Sequence, residues 1–397
     1  MSHQLVSRSP DLLKLRNDGY EIEIRGPYLL VHGVPYVNQN AEVKRGILVS
    51  ELTLSGGERT AKPSSHTIYF IGEYPCNKDG IPLAQIMHQS GVQKLAEGLI
   101  VDHSFSGRPY EKTSPEYDDY YEKVTRYEGV ISAPARALDE TATAKTFNVM
   151  EIADEESVFN YFDTNSGRAE IYHISEKLKS EKVGIIGLGG TGSYILDFVS
   201  KTPVSEIHLF DGKEFLDHNA FRVPGAASID DLREKPTKVI YHQRNYSRMR
   251  KHIYAHDHFM DEETLSLITG LTFVFLSLDK GPAKKAIVTK LEELGIPFID
   301  VGMGVQIVGE SLIGTLRTTT STPRKRDHVH DKKRISFEEP AVDDDYQTNI
   351  QISELNALNA CFAVIKWKKL RGFYHDGDEE HHSTYTLSAN MLLSEDQ

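Results

Sequence analysis

A chain of 397 residues, 39% of them hydrophobic, has room for two domains that each bury a core. Its formal net charge of -13 speaks against a non-specific nucleic-acid binder or an anionic-membrane binder. Cys76 and Cys361 are the only cysteines, in neighbourhoods unsuited to a disulfide framework, and no apolar run is long enough for a bilayer or a signal peptide. A soluble, cytoplasmic protein without a four-thiolate zinc site is therefore expected.

In chain order, residues 9–18 (SPDLLKLRND) predict a short helix with Ser9 as N-cap and Pro10 at the first position. Four strand-like runs follow: YEIEI at 20–24, YLLVHGV at 28–34, GILVSELTL at 46–54 and HTIYFIG at 66–72. Gly, Pro and Asn separate them, as in an antiparallel sheet. Helical pieces are expected from Leu83 onward, and 115–138 is polar and tyrosine-rich. Residues 1–147 thus read as an α+β domain.

A charged, helical stretch is expected over 155–180. Beyond it, strand and helix patterns alternate: KVGII (182–186), a helix SYILDFVSK, EIHLF (206–210), TFVFLSL (272–278), a helix over 283–294 and PFIDV (297–301). Such alternation predicts a parallel sheet with crossovers. Residues 318–347, first basic and then acidic, read as a mobile loop. A last helix begins near Asn349, with apolar residues at helical spacing.

Gly187-Leu188-Gly189-Gly190-Thr191-Gly192 fits G-x-G-x-x-G between a strand and a helix. Glycines let the backbone turn tightly and approach a phosphate, whose charge the free N–H groups of the helix N-terminus stabilise. Asp211 ends the next strand, where a carboxylate can hold ribose hydroxyls. By itself the loop suits a nicotinamide dehydrogenase, a flavoprotein or an adenylating enzyme.

After Asp211 the chain reads GKEFLDHNAFR, then a helix with REKPTKV, and later a strand ending FVFLSLDKG. This order resembles the ThiF/MoeB adenylyltransferase and ubiquitin-activating-enzyme superfamily. Its signature is GxGGxG, an Asp at the second strand end, Asn-x-x-Arg, a Lys beyond it and an Asp after a later strand. The resemblance covers about 155–320 and the helix near 350–370. It implies an α/β fold: a Rossmann-like adenylation domain with a mixed sheet over 148–397, crossover loop at about 318–347, preceded by the smaller α+β domain.

For the site, the resemblance implies that Gly187, Gly189, Gly190, Gly192 and Asp211 hold ATP. Asn219 and Arg222 would face its phosphates, Lys238 would contact them, and Asp279 would ligate Mg2+. Lys235, one turn from Lys238, competes for the same role, and Lys284 stands where the family often has Arg. Arg168 resembles an arginine that reaches the nucleotide of the partner subunit, so a homodimer is expected.

The implied reaction is ATP-dependent adenylation of the C-terminal carboxylate of a ubiquitin-like or sulfur-carrier protein, in a bacterial ubiquitin-like conjugation pathway. An in-line attack on the α-phosphate builds negative charge on phosphate oxygens, so fixed cations such as Arg222 and Lys238 matter most. Two rival classes stay open: a NAD- or FAD-dependent oxidoreductase, and a non-catalytic nucleotide-binding scaffold.

The chain departs from the family in two ways. No cysteine lies in 318–347, where thioester-forming members carry one, and the paired Cys-x-x-Cys zinc motifs are absent. Cys361 falls inside the apolar helix NALNACFAVIKW and reads as packing. Cys76, in the turn-rich FIGEYPCNKDGIPL, is expected as an exposed loop thiol, a nucleophile if its pKa is lowered. The order helix, four strands, helices resembles the ubiquitin-conjugating fold, an analogy of fold alone. A conjugating enzyme is accordingly a candidate partner. The pairs His256/His258 and His328/His330 read as solvated. The run PRKRDHVHDKKR is expected to hold the carrier's tail in a mobile loop.

Overall fold

The computed structural model describes residues 2–56, 59–109, 116–148, 157–161, 163, 165–166, 169, 171–261, 263–278, 281–337 and 350–397, leaving aside the side chains of 2–4 and 172. The chain divides into two compact units, Met1–Ser157 with Tyr161–Tyr172, and Val158–Asn160 with His173–Gln397.

The first unit opens with helices α1 (Ser2–Arg8) and α2 (Pro10–Asn17). Pro10 takes the first helical position, where a missing N–H costs nothing. The Ser9 hydroxyl accepts from the Thr60 N–H at 2.9 Å instead of capping α2. Strands β1 (Glu21–Arg25), β2 (Tyr28–Val37) and β3 (Val43–Glu51) precede a two-residue pair, β4 (Leu54–Ser55) and β5 (Arg59–Thr60). Then come β6 (Thr67–Ile71), β7 (Met87–Ala96), β8 (Leu99–Ser106) and helix α3 (Tyr120–Leu138). Six of these strands form one antiparallel sheet in the order β1-β2-β3-β6-β8-β7. Alternation sorts its faces: Leu29, Val31, Leu48, Ile68, Phe70 and Phe105 pack with Tyr120, Val124, Tyr127 and Ile131 of α3, while Leu30, Val49, Leu99 and Val101 make a smaller cluster.

Helical pieces were expected beyond Leu83; the structure has the strands β7 and β8 there, after a 3-10 turn at Ala84–Ile86. The pattern misleads because β7 is an edge strand. Almost all of it is exposed, so it shows no apolar alternation. The sheet thus adds two strands to the four read from the sequence.

In the second unit α4 (Tyr172–Ser175) leads to β9 (Lys182–Ile186), α5 (Gly190–Ser200) and β10 (Glu206–Phe210). Three helices, α6 (Asp217–Ala220), α7 (Ile229–Glu234) and α8 (Lys238–Tyr246), precede β11 (Ile253–His256) and β12 (Phe273–Leu276). Next come α9 (Pro282–Glu293), β13 (Phe298–Val308), β14 (Ser311–Ser321), α10 (Asp327–Asp331), α11 (Ser353–Leu370), β15 (His382–Thr386) and β16 (Met391–Glu395). The eight strands form one mixed sheet, ordered β11-β10-β9-β12-β13-β14-β15-β16. Pairing is parallel from β11 through β13 and antiparallel from β13 onward.

The parallel strands are apolar on both faces, as a sheet covered on both sides requires. Val183, Ile185, Phe273 and Phe275 face α5 and α11, with Leu196, Val199, Ala360 and Trp367; Ile186, Val274 and Leu276 face α9, with Ile287 and Leu291. The strand order reverses at β9: β10 and β11 follow on one side, β12 and β13 on the other. In open α/β sheets ligands bind at such a switch point, beyond the carboxyl ends of the strands.

The expected mobile loop at 318–347 needs correcting. Thr318–Ser321 end β14 and pair with Phe298–Val301, all four side chains buried. The β-branched threonines that suggested a polar loop fit a strand equally well. The basic run is also anchored: Arg326 donates to the Glu292 carbonyl at 2.6 Å, Arg334 to Asp396 at 2.9 Å, and Lys332 pairs with Asp396. Residues 338–347 of that expected loop lie outside the described residues. The C-terminal segment is the hairpin β15–β16, paired to β14. No helix among the described residues is long and apolar enough to cross a membrane.

Candidate functional site

The glycine loop lies where β9 ends and α5 begins. Gly187 has φ +91, a conformation L side chains rarely adopt, and a side chain there would strike the Ser277 carbonyl. A side chain at Gly192 would strike the Gly187 carbonyl, and one at Gly190 the Asn356 amide. Gly189 differs: a Cβ there would meet nothing within 4 Å. Three glycines therefore close the turn against the protein, and the fourth leaves open the space a ligand's phosphate would use. Gly189 is also the N-cap of α5, so the unpaired N–H groups of that helix begin here.

Asp211 follows β10 directly. Its Oδ2 accepts from the Leu188 N–H at 2.8 Å and its Oδ1 from the Lys213 N–H at 2.9 Å, which ties the loop to the end of the next strand. Residues 213–215 then run beside 236–238: Phe215 donates to the Pro236 carbonyl at 2.8 Å and Lys238 to the Lys213 carbonyl at 3.0 Å. That pairing brings the Lys238 Nζ to 3.6 Å from Asp211 Oδ2. Lys238 is 6% exposed. Burial pushes its ammonium below the usual lysine range; Asp211 pulls it back, while Lys213 and Arg222 add to the depression. Lys235 ends α7 in a left-handed conformation, φ 49, exposed to solvent. It does not share the position of Lys238.

Asn219 is 1% exposed. Its Oδ1 accepts from the Leu216 N–H at 2.9 Å, while its Nδ2 has no hydrogen-bond partner among the described residues. The Thr237 hydroxyl is also buried without one. Buried donors left unpaired are costly, so they point to a group from outside the chain. One turn beyond Lys238, burial and the Lys238 charge hold His242 down at about 3, neutral behind the lysine. An open cradle at Gly189, an orphaned amide at Asn219 and a buried lysine together suit a polyphosphate.

The sequence of residues 165–337 matches the ThiF family. The chain carries a ThiF family domain. Residues 10–164, ahead of the ThiF domain, match a domain of unknown function (DUF6791). No curated protein matches the chain. Among solved structures, PaaA is similar to it at 16% identity, over 57% of this chain and 76% of that chain, with a TM-score of 0.45. E. coli MccB with MccA is similar at 16% identity over 56% and 66%, TM-score 0.44. E. coli tRNA N6-threonylcarbamoyladenosine dehydratase, TcdA, in complex with AMP, is similar at 16% identity over 52% of this chain and 93% of that chain, TM-score 0.39. The ThiF domain has a mixed α/β fold built on the eight-stranded mixed sheet.

Within the ThiF domain the structure brings together Gly187, Gly189, Gly190, Gly192, Asp211 and Lys238, with Asn219 and the half-buried Arg222 on and after the short helix α6. Asp279 and Arg168 lie outside the described residues. Lys284 is committed elsewhere: its Nζ is 2.6 Å from Asp300 Oδ1 and donates to the Leu278 carbonyl at 3.1 Å. Arg317 pairs with the other Asp300 oxygen at 2.5 Å. This buried triad, drawn from α9, β13 and β14, holds the chain just past β12. Sequence reading missed Asp300 and Arg317, and it missed Asn356 of α11, which bonds Thr191 of the loop.

Several expectations are corrected. Cys76 is not an exposed loop thiol: it is 0% exposed, its Sγ donates to the Tyr74 carbonyl at 3.3 Å, and burial, then Glu73, raises its pKa. The turn-rich segment folds inward because the Cys76 N–H bonds the Val37 carbonyl at the end of β2. A buried, protonated thiol is no nucleophile. Of the histidines read as solvated, His330 is exposed and pairs with Glu292 at 3.0 Å, while His256 and His328 are packed. His256 stacks on Phe210 at 4.4 Å and bonds His208 at 3.1 Å, and buried His328 bonds the Thr320 carbonyl at 2.9 Å. No group of three or more His, Cys, Asp or Glu suited to a metal ion occurs among the described residues.

Proposed function

We propose that the ThiF domain binds ATP at the glycine loop and transfers its AMP unit to the C-terminal carboxylate of a ubiquitin-like or sulfur-carrier protein. The observation that carries this reading is Lys238: a buried lysine, its charge weakly held by Asp211, beside a loop with one open glycine. A nicotinamide or flavin dinucleotide keeps its pyrophosphate intact, so a cation there would only bind; a transferring phosphate builds charge that a desolvated cation stabilises.

In this reading a carboxylate oxygen attacks the α-phosphorus, and the bond to the β-phosphate bridging oxygen breaks. Pyrophosphate leaves with the bond electrons, and an acyl-adenylate remains. The nucleophile is already an anion, so no base is needed. Lys238 and Arg222 stabilise the charge that builds on the phosphate oxygens. Asn219 offers its spare amide donor, and Asp211 fixes the loop and accepts from ribose hydroxyls. Mg2+ held by Asp279 would neutralise phosphate charge. Asp279, and Arg168 reaching across a homodimer, enter on family likeness alone. A conjugating enzyme would receive the activated carrier.

The test is ATP–pyrophosphate exchange with candidate carriers ending in Gly. Exchange that requires a carrier and falls by about 100-fold or more in Lys238→Ala, the size of a lost electrostatic contact in a transition state, is the expected result. ATP binding without exchange for any carrier would leave a nucleotide-binding scaffold. Binding of NAD in preference to ATP would overturn the proposal.

A further inference from the structure

The reaction proposed above makes no use of Asn356, yet this side chain lies against the loop that would hold the phosphates. It sits in the first turn of α11 with 0% exposure. Its Oδ1 accepts from the Thr191 hydroxyl at 2.9 Å, and its Nδ2 has no hydrogen-bond partner among the described residues. That amide stands where a side chain of Gly190 would go. The turn is held on both sides: Ser353 bonds the Tyr194 hydroxyl of α5 at 2.6 Å, and Asn359 donates to the Gly302 carbonyl at 3.1 Å. The backbone that carries the amide is thus tied to α5 and β13.

An apolar residue could fill this space without leaving a donor unpaired in a dry interior, which is costly. What the amide adds is orientation and charge. Its acceptor end fixes Thr191, the second residue of α5, and its donor end lies against Gly190, the first. These are the residues whose N–H groups open the helix toward the cradle at Gly189. In surroundings of low dielectric, the positive end of the amide dipole beneath them strengthens their attraction for an anion.

We propose that Asn356 is a positioning residue of the nucleotide site: it sets the glycine loop through Thr191 and places the positive end of its amide under the phosphate-binding N–H groups. The inference rests on the ATP reading and names a further residue for the same site.

The experiment compares full-length wild type with Asn356→Asp, Asn356→Leu and Thr191→Val. ATP binding is followed by calorimetry across pH, and thermal melting is recorded without nucleotide. Asn356→Asp keeps the acceptor for Thr191 and replaces the positive end by a carboxylate. Its ATP affinity should fall by about tenfold or more at pH 8 and recover partly at pH 5, as the carboxyl takes up a proton. Thr191→Val, which leaves Asn356 in place, should weaken ATP by a few-fold through lost orientation. A packing role predicts the opposite pattern: melting temperature changes in all three variants, with ATP affinity of the folded protein within twofold of wild type and flat in pH. That pattern overturns the inference. If wild type itself does not bind ATP, the ATP reading fails first. If wild type binds ATP and only the pH-dependent loss in Asn356→Asp is missing, this inference fails alone.

Discussion

In the N-terminal unit the buried hydroxyls of Tyr117, Tyr120 and Tyr127 each fasten a loop to α3 or to the stretch before it; in the ThiF domain the buried amides of Asn219 and Asn356 keep donors that no group among the described residues takes up. Tyr127 donates to the His66 carbonyl at 2.6 Å and accepts from the Gly107 N–H at 2.6 Å; Tyr120 accepts from Thr53 at 2.6 Å. Tyr117 donates to the Gly107 carbonyl at 2.7 Å, and burial pushes its pKa up to about 12. Lys123, pushed down by burial to about 8, still finds the Ser50 hydroxyl and the Ser65 carbonyl, both at 2.9 Å. There, buried polarity closes a fold. Around Lys238 it is left open, which is what a site for an outside group requires.

The largest effect that would test this contrast lies at Asp300. Its 0% exposed carboxylate pairs with buried Lys284 and partly exposed Arg317, so Asp300→Ala should destabilise the ThiF domain by about 3–5 kcal/mol, chiefly through the uncompensated buried Lys284. Urea denaturation of the full chain should show this loss in the ThiF transition, with the N-terminal transition unmoved. An unchanged ThiF midpoint would mean the triad is solvated. Tyr127→Phe is the counterpart in the other unit. It leaves the Gly107 N–H unpaired and should cost about 1–3 kcal/mol there, without altering ATP affinity. A change in ATP binding would show that the tyrosine tethers serve the site as well as the fold.

The smallest effect is a pH dependence. Burial, with His208 and His258, lowers His256 to about 4; burial, with Arg334 and Arg317, lowers His382 to about 4. Both sit below the ordinary value of 6.5. Over that window the unfolded chain binds more protons than the folded one, so stability is full above pH 6.5 and is lost as pH falls toward 4. The ThiF melting temperature should drop across this range, and His256→Gln should flatten the slope. An identical slope in His256→Gln would assign the acid sensitivity elsewhere.

Much of the fold was legible. KVGII and EIHLF are short apolar runs in a pattern of strands alternating with helices, and they appear as β9 and β10. The glycine loop was legible because its G-x-G-x-x-G spacing sits between a strand and a helix, although Gly190 is forced only by distant Asn356. Less visible were strands that lack alternation, such as β7 at an exposed edge and the threonine end of β14. Cys76 was misread because a turn-rich composition says nothing about which way a turn faces; one bond to Val37 decides that.

The sequence by itself determined the local order of chemistry: a glycine turn after a strand, Asp211 at the next strand end, Asn219 and Arg222 in Asn-x-x-Arg spacing, and Lys238 beyond them. These lie close along the chain, so their spacing records their geometry. Only the tertiary structure decided that Lys284 and Arg317 both pair with Asp300, that the basic run is anchored by Glu292 and Asp396, and that Asn356 stands under Gly190. Those partners are far apart in sequence. Their meeting depends on how α9, α11 and the antiparallel strands pack against the sheet, and no local period encodes it.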